Sequence, residues 1–131
     1  MTQKRENREY QICKAIAIYM RLQYPKIIFH YDLAGLNLSR AQAGMTKVIQ
    51  GGKGYPDLFI AEPRANFHGL FIEVKKEGTV LWKVKGGPAT DHIGDQIDML
   101  NRLTELNYYA EFGVGFDHCK ELIDNYLLGN L

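Results

Sequence analysis

Three charged residues occupy two apolar, strand-like segments in which charge is seldom tolerated. Asp57 stands near the start of 56–61 (PDLFIA), and Glu73 and Lys75 lie within 70–75 (LFIEVK). Because side chains alternate across a strand, Glu73 and Lys75 are expected on one face, about 7 Å apart. If the two segments pair, Asp57 approaches Glu73 from the neighbouring strand. Two carboxylates and an ammonium group would then converge.

Such a cluster has a chemical use. Two close carboxylates repel each other unless a positive charge lies between them, and a divalent cation supplies that charge most strongly. Oxygen ligands without a Cys/His cluster favour Mg²⁺ or Mn²⁺ over zinc, and the carbonyl of Val74 offers a further oxygen. The waters on such an ion are what phosphodiester hydrolysis needs, and Lys75 would orient or deprotonate the attacking water or stabilise charge on phosphorus oxygens. The alternative is that Glu73 and Lys75 form an ordinary ion pair on a surface strand.

Helical and strand-like patterns alternate around these residues. The spacing of apolar residues predicts an amphipathic first helix, a helix capped by Ser39, a third helix and a closing helix capped by Asp117. Five strand-like runs fall between them, of which 56–61 and 70–75 should be adjacent strands of a hairpin. The predicted helices are 4–22, 39–50, 90–106 and the closing segment from 117, and the strands are 26–31, 56–61, 70–75, a weaker 80–85 and 108–114. The mixture predicts an α/β fold with a central mixed sheet covered by helices, in one domain over 1–131.

Composition limits the function classes. The 131 residues are 46% hydrophobic and 24% charged, which is typical of a globular protein, and the apolar runs are too short for a membrane span. Two cysteines make no disulfide framework, so we expect a reducing, cytoplasmic compartment. Residues 1–88 carry 14 Lys and Arg against 7 Asp and Glu, whereas 89–131 carry 2 against 8. The asymmetry either offers a polyanion a basic surface or reflects chance clustering on solvated faces.

The motifs also resemble a known family. GYPDLFI at 54–60 followed by FIEVK at 71–75 resembles the PD-(D/E)xK nuclease superfamily, and the chain is similar to its VRR-NUC branch in the stand-alone phage form. The similarity covers nearly the whole chain, from the acidic opening segment ENREYQ to the later helix HIGDQIDMLNRL and the closing strand and helix. It implies a restriction-endonuclease-like core in which Asp57 and Glu73 bind Mg²⁺ or Mn²⁺ and Lys75 is catalytic.

Two helices would assist this site, as the resemblance implies. The opening helix contributes a glutamate, for which Glu9 follows the inward face and Glu6 is the rival. The later helix contributes Gln96. Each has a simpler reading as a solvated polar residue. His92, one turn before Gln96, would meet a phosphate or the site water, or would be a structural polar group.

The resemblance further implies a metal-dependent endonuclease on branched DNA such as Holliday junctions, acting as a homodimer in the cytoplasm of a host cell. Phosphate contacts would come from exposed basic residues, since Lys and Arg dominate affinity for nucleic acid. The candidates are Arg40, Lys47, Lys53, Lys76, Lys83 and Lys85. The alternatives are a noncatalytic nucleic-acid-binding module of the same fold, or a nuclease acting on flap or linear DNA, on a sequence pattern, or on RNA. No partner protein is legible in the sequence.

Overall fold

A computed structural model describes residues 8–32 and 38–131. Within these residues, the chain forms four helices and four strands. They are α1 Arg8–Gln23, β1 Phe29–Tyr31, α2 Arg40–Ile49, β2 Leu58–Ile60, β3 Leu70–Lys75, α3 Asp91–Glu105, β4 Tyr109–Val114 and α4 Phe116–Leu128.

The strands form one mixed sheet in the order β1, β2, β3, β4. β2 lies antiparallel to both of its neighbours, β1 and β3, and pairs with β3 through Leu58 opposite Ile72. β4 lies parallel to β3, because α3 carries the chain back to the starting edge before β4 begins. The α/β fold with a mixed central sheet, and the hairpin of β2 and β3, are confirmed.

Each face of the sheet is covered by helix. One face presents Leu70, Ile72 and Val74 to a core completed by α1 and α4, with Ile16 and Ile123 fully buried. On the other face, α3 contributes Ile93 and Leu100 to a smaller cluster with Phe112 of β4. β3 is therefore buried on both faces, including the face that carries its two charged residues.

Local chemistry explains where the helices begin. Ser39 caps α2 as predicted, because its hydroxyl accepts from the Gln42 amide while the Gln42 side chain accepts from the Ser39 amide. Thr90 caps α3 in the same way, through its hydroxyl and the Ile93 amide.

The predicted cap of the last helix is wrong. α4 has Gly115 at its N-cap position, with no side-chain cap, and Asp117 lies inside the first turn. Gly115 adopts φ 83°, a conformation that glycine reaches without strain, and its amide donates to the Lys75 carbonyl at 2.8 Å. The chain can therefore turn directly from β4 into the helix without a capping side chain.

The strand limits also differ from the prediction. Two runs are shorter than expected, since only Phe29–Tyr31 and Leu58–Ile60 pair, and the weaker run 80–85 is not a strand of the sheet. That run contributes one isolated bridge, between Trp82 and Pro88. Its apolar alternation matched a strand, but its partner is the chain just beyond it. No helix in the described ranges is long and apolar enough to cross a membrane.

Candidate active site

Asp57 is held against β3 by the backbone. The Leu58 to Ile72 register places residue 57 opposite Glu73, one position before β2 starts. There the Val74 amide donates a hydrogen bond of 2.8 Å to Oδ2 of Asp57. This backbone bond fixes the half-buried carboxylate at the point where β2 and β3 diverge.

Glu73 and Lys75 are charged residues of a covered strand, in which Lys75 is the last residue. Their exposures are 4% and 7%, and the Lys75 Nζ lies 4.0 Å from Oε1 of Glu73. Both follow Phe71 on one face of β3, as the alternation predicts, while the apolar residues between them face α1 and α4. Buried charge is costly, so a cluster of this kind needs either compensation or a use.

Gln96 completes the cluster from α3. Its Nε2 donates to Oε1 of Glu73 at 2.8 Å, and the residue is only 4% exposed. Since a carboxylate can only accept, the amide must turn its nitrogen toward Glu73, which leaves Oε1 of Gln96 facing elsewhere. Within the described residues, neither that oxygen nor Oε2 of Glu73 receives a hydrogen bond. His92 contacts the same amide, with Nε2 to Nε2 at 3.3 Å.

The electrostatics of the site disfavour the ionisation of both carboxyl groups at once. Burial, followed by the charge of Asp57, raises the pKa of Glu73 well above its usual range, and Lys75 opposes the shift only in part. Burial also raises the pKa of Asp57, although the hydrogen bond from the Val74 amide and the charge of Lys75 act against it. The pair therefore retains a shared proton, or a cation, more readily than two full charges.

Glu9 approaches the cluster from α1. It is half-buried, its charge contributes to the raised pKa of Glu73, and it lines a cavity of about 480 Å³ together with Asp57. The structure therefore brings Glu9, Asp57, Glu73, Lys75 and Gln96 into one neighbourhood. The rival Glu6 lies outside the described residues.

Comparison with known proteins bears on the fold. No protein-family model matches the sequence, and no curated protein matches it. A solved structure described as a VRR_NUC domain protein aligns with a TM-score of 0.67 and 23% identity, covering 98% of this chain and 92% of that one. The two chains share a fold.

The donor atoms suit a hard cation. The described residues contain no group of three or more His, Cys, Asp and Glu side chains arranged to hold a metal. The available set is instead two carboxylates, the free amide oxygen of Gln96, and a backbone carbonyl. In a strand the N–H and C=O of one residue point to the same edge, so the Val74 carbonyl faces the Asp57 side. The two buried oxygens without a donor are what such a cation would satisfy.

The predicted phosphate contacts lie on exposed parts of the chain. Two are on α2, and the others are in the connecting segments before β2 and after β3: Arg40, Lys47, Lys53, Lys76, Lys83 and Lys85. Gly54, next to Lys53, packs so closely on α3 that a Cβ there would lie 2.7 Å from the Asp95 carbonyl oxygen. Lys53 thus directly precedes a residue that packs against the backbone of Asp95 and Gln96. The role of the six side chains in DNA binding stays a prediction.

Asp32 is a residue that the sequence reading missed. It follows β1, its amide donates to the Asp57 carbonyl at 2.7 Å, and its charge contributes to the raised pKa of Asp57. A signal was present: in an antiparallel pair, the end of 26–31 meets the start of 56–61, so an acid after one run lies beside an acid at the start of the other.

Proposed function

We propose that this chain is a divalent-metal-dependent nuclease that hydrolyses DNA phosphodiester bonds, a VRR-NUC member of the PD-(D/E)xK superfamily. The observation that carries the proposal is the cluster of Asp57, Glu73, Lys75 and Gln96, in which Glu73 and Gln96 keep buried oxygens without donors. The Pro-Asp and Glu-x-Lys motifs and the fold shared with a VRR_NUC domain protein support it.

Asp57 and Glu73 would hold the cation, with the Val74 carbonyl and the Gln96 amide oxygen as further ligands. All four donors are oxygens, which favours Mg²⁺ or Mn²⁺. When bound, such an ion lowers the pKa of a coordinated water and offsets negative charge on the phosphate.

The chain's own residues prepare the site for this reaction. Gln96 holds Glu73 in one orientation, because its amide nitrogen donates to the carboxylate. Lys75 has three ammonium donors and lies beside Glu73, so it would orient the attacking water or donate to a phosphate oxygen that gains charge. Glu9 adds a carboxylate at the side of the cavity, where a second water or the cation would be positioned.

Branched DNA such as a Holliday junction is the proposed substrate, cut by a homodimer in the host cytoplasm. Two sites related by a two-fold axis suit paired cuts across a symmetric junction. The six exposed basic residues named above would hold the phosphate backbone.

Cleavage assays test this function. The protein is incubated with a four-way junction, a flap, a linear duplex and RNA, in Mg²⁺, in Mn²⁺ and in chelator. We expect metal-dependent products, cleavage at least about 100-fold slower in Lys75→Ala and Asp57→Ala, and unchanged rates in the control Lys26→Ala, an exposed lysine outside the set.

The outcome of these assays distinguishes the proposed nuclease from the alternative functions. DNA that stays intact in every metal while binding persists contradicts the enzyme and supports a noncatalytic binding module. Cleavage that prefers flaps, linear duplex or RNA keeps the nuclease and replaces the substrate. Cleavage that persists in chelator contradicts the proposed metal dependence.

A further inference from the structure

Residues 81–89 form a narrow β-hairpin outside the four-stranded sheet, which we call the 81–89 hairpin. The Ala89 amide donates to the Leu81 carbonyl, and the Lys83 amide donates to the Gly87 carbonyl, each at 2.9 Å. The turn closes through the Gly86 amide on the Lys83 carbonyl, also at 2.9 Å. Gly86 and Gly87 have φ 93° and 85°, values that glycine adopts freely, so the turn is a built feature of the chain.

The base of the hairpin is fixed near the candidate active site. Leu81 and Ala89 pack on the cluster of Ile93, Leu100 and Phe112, which belongs to α3 and β4. Leu81 is six residues beyond Lys75, so the two lie at most about 20 Å apart, or about six nucleotide steps along a DNA strand.

The hairpin presents apolar side chains to solvent. Val80, Trp82 and Val84 alternate along the chain and share its outer face, with Val80 67% exposed, Trp82 54% exposed and Val84 fully exposed. Leu81, on the opposite face, supplies the anchor. This face therefore offers an indole and two valines for contact with a partner.

The charges of this segment select the partner. Lys83 and Lys85 alternate with these apolar residues along the chain and are both exposed, and no acidic residue occurs between Glu77 and Asp91. A basic surface with an exposed aromatic ring is complementary to a strand of nucleic acid, in which phosphates alternate with flat bases.

From these features we infer that the 81–89 hairpin binds unpaired bases of the DNA substrate, with Trp82 stacking on a base, Val84 inserting at the point where the duplex opens, and Lys83 and Lys85 holding the backbone. The inference rests on the proposed nuclease function and narrows its branched substrate to DNA whose strands separate at the branch point. An apolar wedge is an established way to unstack a base step, and stacking on an aromatic ring tolerates any base sequence.

The emission of Trp82 tests the inference directly, because it is the only tryptophan in the chain. Titrations in chelator, where no cleavage interferes, use a single strand, a forked duplex and a blunt duplex. We expect quenching by the single strand and the fork and little by the blunt duplex.

Variants extend the test to affinity, measured by the anisotropy of labelled DNA. Trp82→Ala should weaken binding of the single strand and the fork about 5- to 150-fold and leave blunt-duplex binding almost unchanged. Trp82→Phe should retain most of the affinity, since a ring is kept. Leu128→Ala, an exposed apolar residue on α4, is the matched control and should change neither affinity nor quenching.

Three results overturn the inference: no quenching at saturating single strand, equal losses for all three DNAs in Trp82→Ala, or a dimer that dissociates in Trp82→Ala while DNA leaves the emission unchanged. The last result would make a second copy of the chain the occupant. If DNA quenches Trp82 but is not cleaved in the presence of metal, the nuclease function is wrong and the binding role of the hairpin stands. If DNA is cleaved but does not quench Trp82, the binding role of the hairpin is wrong and the nuclease function stands.

Discussion

Replacing Glu73 by glutamine should stabilise the protein in the absence of metal. The candidate site holds the buried Glu73 carboxyl, the half-buried Asp57 carboxyl and one ammonium group, so ionising both carboxyl groups leaves one negative charge without a partner. Glu73→Gln removes that charge while keeping an oxygen that can accept from Gln96. Asp57 and Lys75 then balance each other.

The magnitude follows from the raised pKa. A carboxyl group whose pKa is higher in the folded than in the unfolded chain leaves stability intact below the unfolded value and reduces it as pH rises toward the folded value. With an ordinary value of 4.5 for Glu73, the interval to pH 7 is about 2.5 units, or about 3 kcal/mol at most. Because Lys75 also loses a neighbour, we expect a net gain of about 1 to 3 kcal/mol, which is large against a total of about 5 to 15.

Urea denaturation in chelator at pH 4.5 and pH 7 measures this gain as the free energy of unfolding. The variant should exceed the wild type at pH 7, and the two curves should meet as the pH falls to 4.5. Mg²⁺ should stabilise the wild type more than the variant, because only the wild type keeps both carboxylates for the ion. Cleavage should be lost in the variant.

Lys75→Gln is the matched control with the opposite sign. It leaves two carboxylates without their cation, so it should lower the free energy of unfolding at pH 7. A Glu73→Gln variant that is no more stable than the wild type at pH 7, or whose advantage grows toward pH 4.5, would refute the account of a charge-frustrated site.

Three further outcomes are expected. Gly54→Ala should lower the free energy of unfolding by about 1 to 3 kcal/mol, because φ 76° is strained for alanine and its Cβ would lie 2.7 Å from the Asp95 carbonyl oxygen. Gly51→Ala is the control, since a Cβ there meets nothing within 4 Å. Thermal melts of both variants measure the difference. Cys119 should resist alkylation at pH 8 until the protein unfolds, since burial raises the pKa of its thiol to about 12, and mass spectrometry of the folded and unfolded protein will report the adduct. Lys47→Ala should reduce the slope of log Kd against log salt for duplex DNA by about 1 if this lysine contacts a phosphate, and an unchanged slope would remove it from the contact set.

The periodicity of apolar residues along the sequence predicted much of the fold. The apolar spacing of α1, α3 and α4 follows the faces that they bury, and the limits of β3 are as predicted, because alternation and helical spacing are local consequences of backbone geometry. Run 80–85 failed for the same reason: an alternating pattern reports a strand-like backbone but names no partner, and here the partner was Pro88 in the same hairpin.

The candidate site divides in a similar way. The sequence identified three charged residues in apolar strands: Asp57, Glu73 and Lys75. Their placement on neighbouring strands followed once the two strands were predicted to form a hairpin. Asp32 was missed although it follows β1, because its contribution depends on which strand end lies beside Asp57.

The amino-acid order by itself determined which residues are charged inside strands, which faces of the helices are apolar, and where caps such as Ser39 begin a helix, since these depend on neighbours a few positions away. Only the tertiary structure decided that Gln96, 23 residues beyond Glu73, turns its amide nitrogen onto that carboxylate and leaves two buried oxygens without donors. It also decided that Trp82 stands exposed on a hairpin of its own rather than within the sheet. Both features depend on how segments far apart in the sequence pack against one another, and a local sequence pattern does not specify that packing.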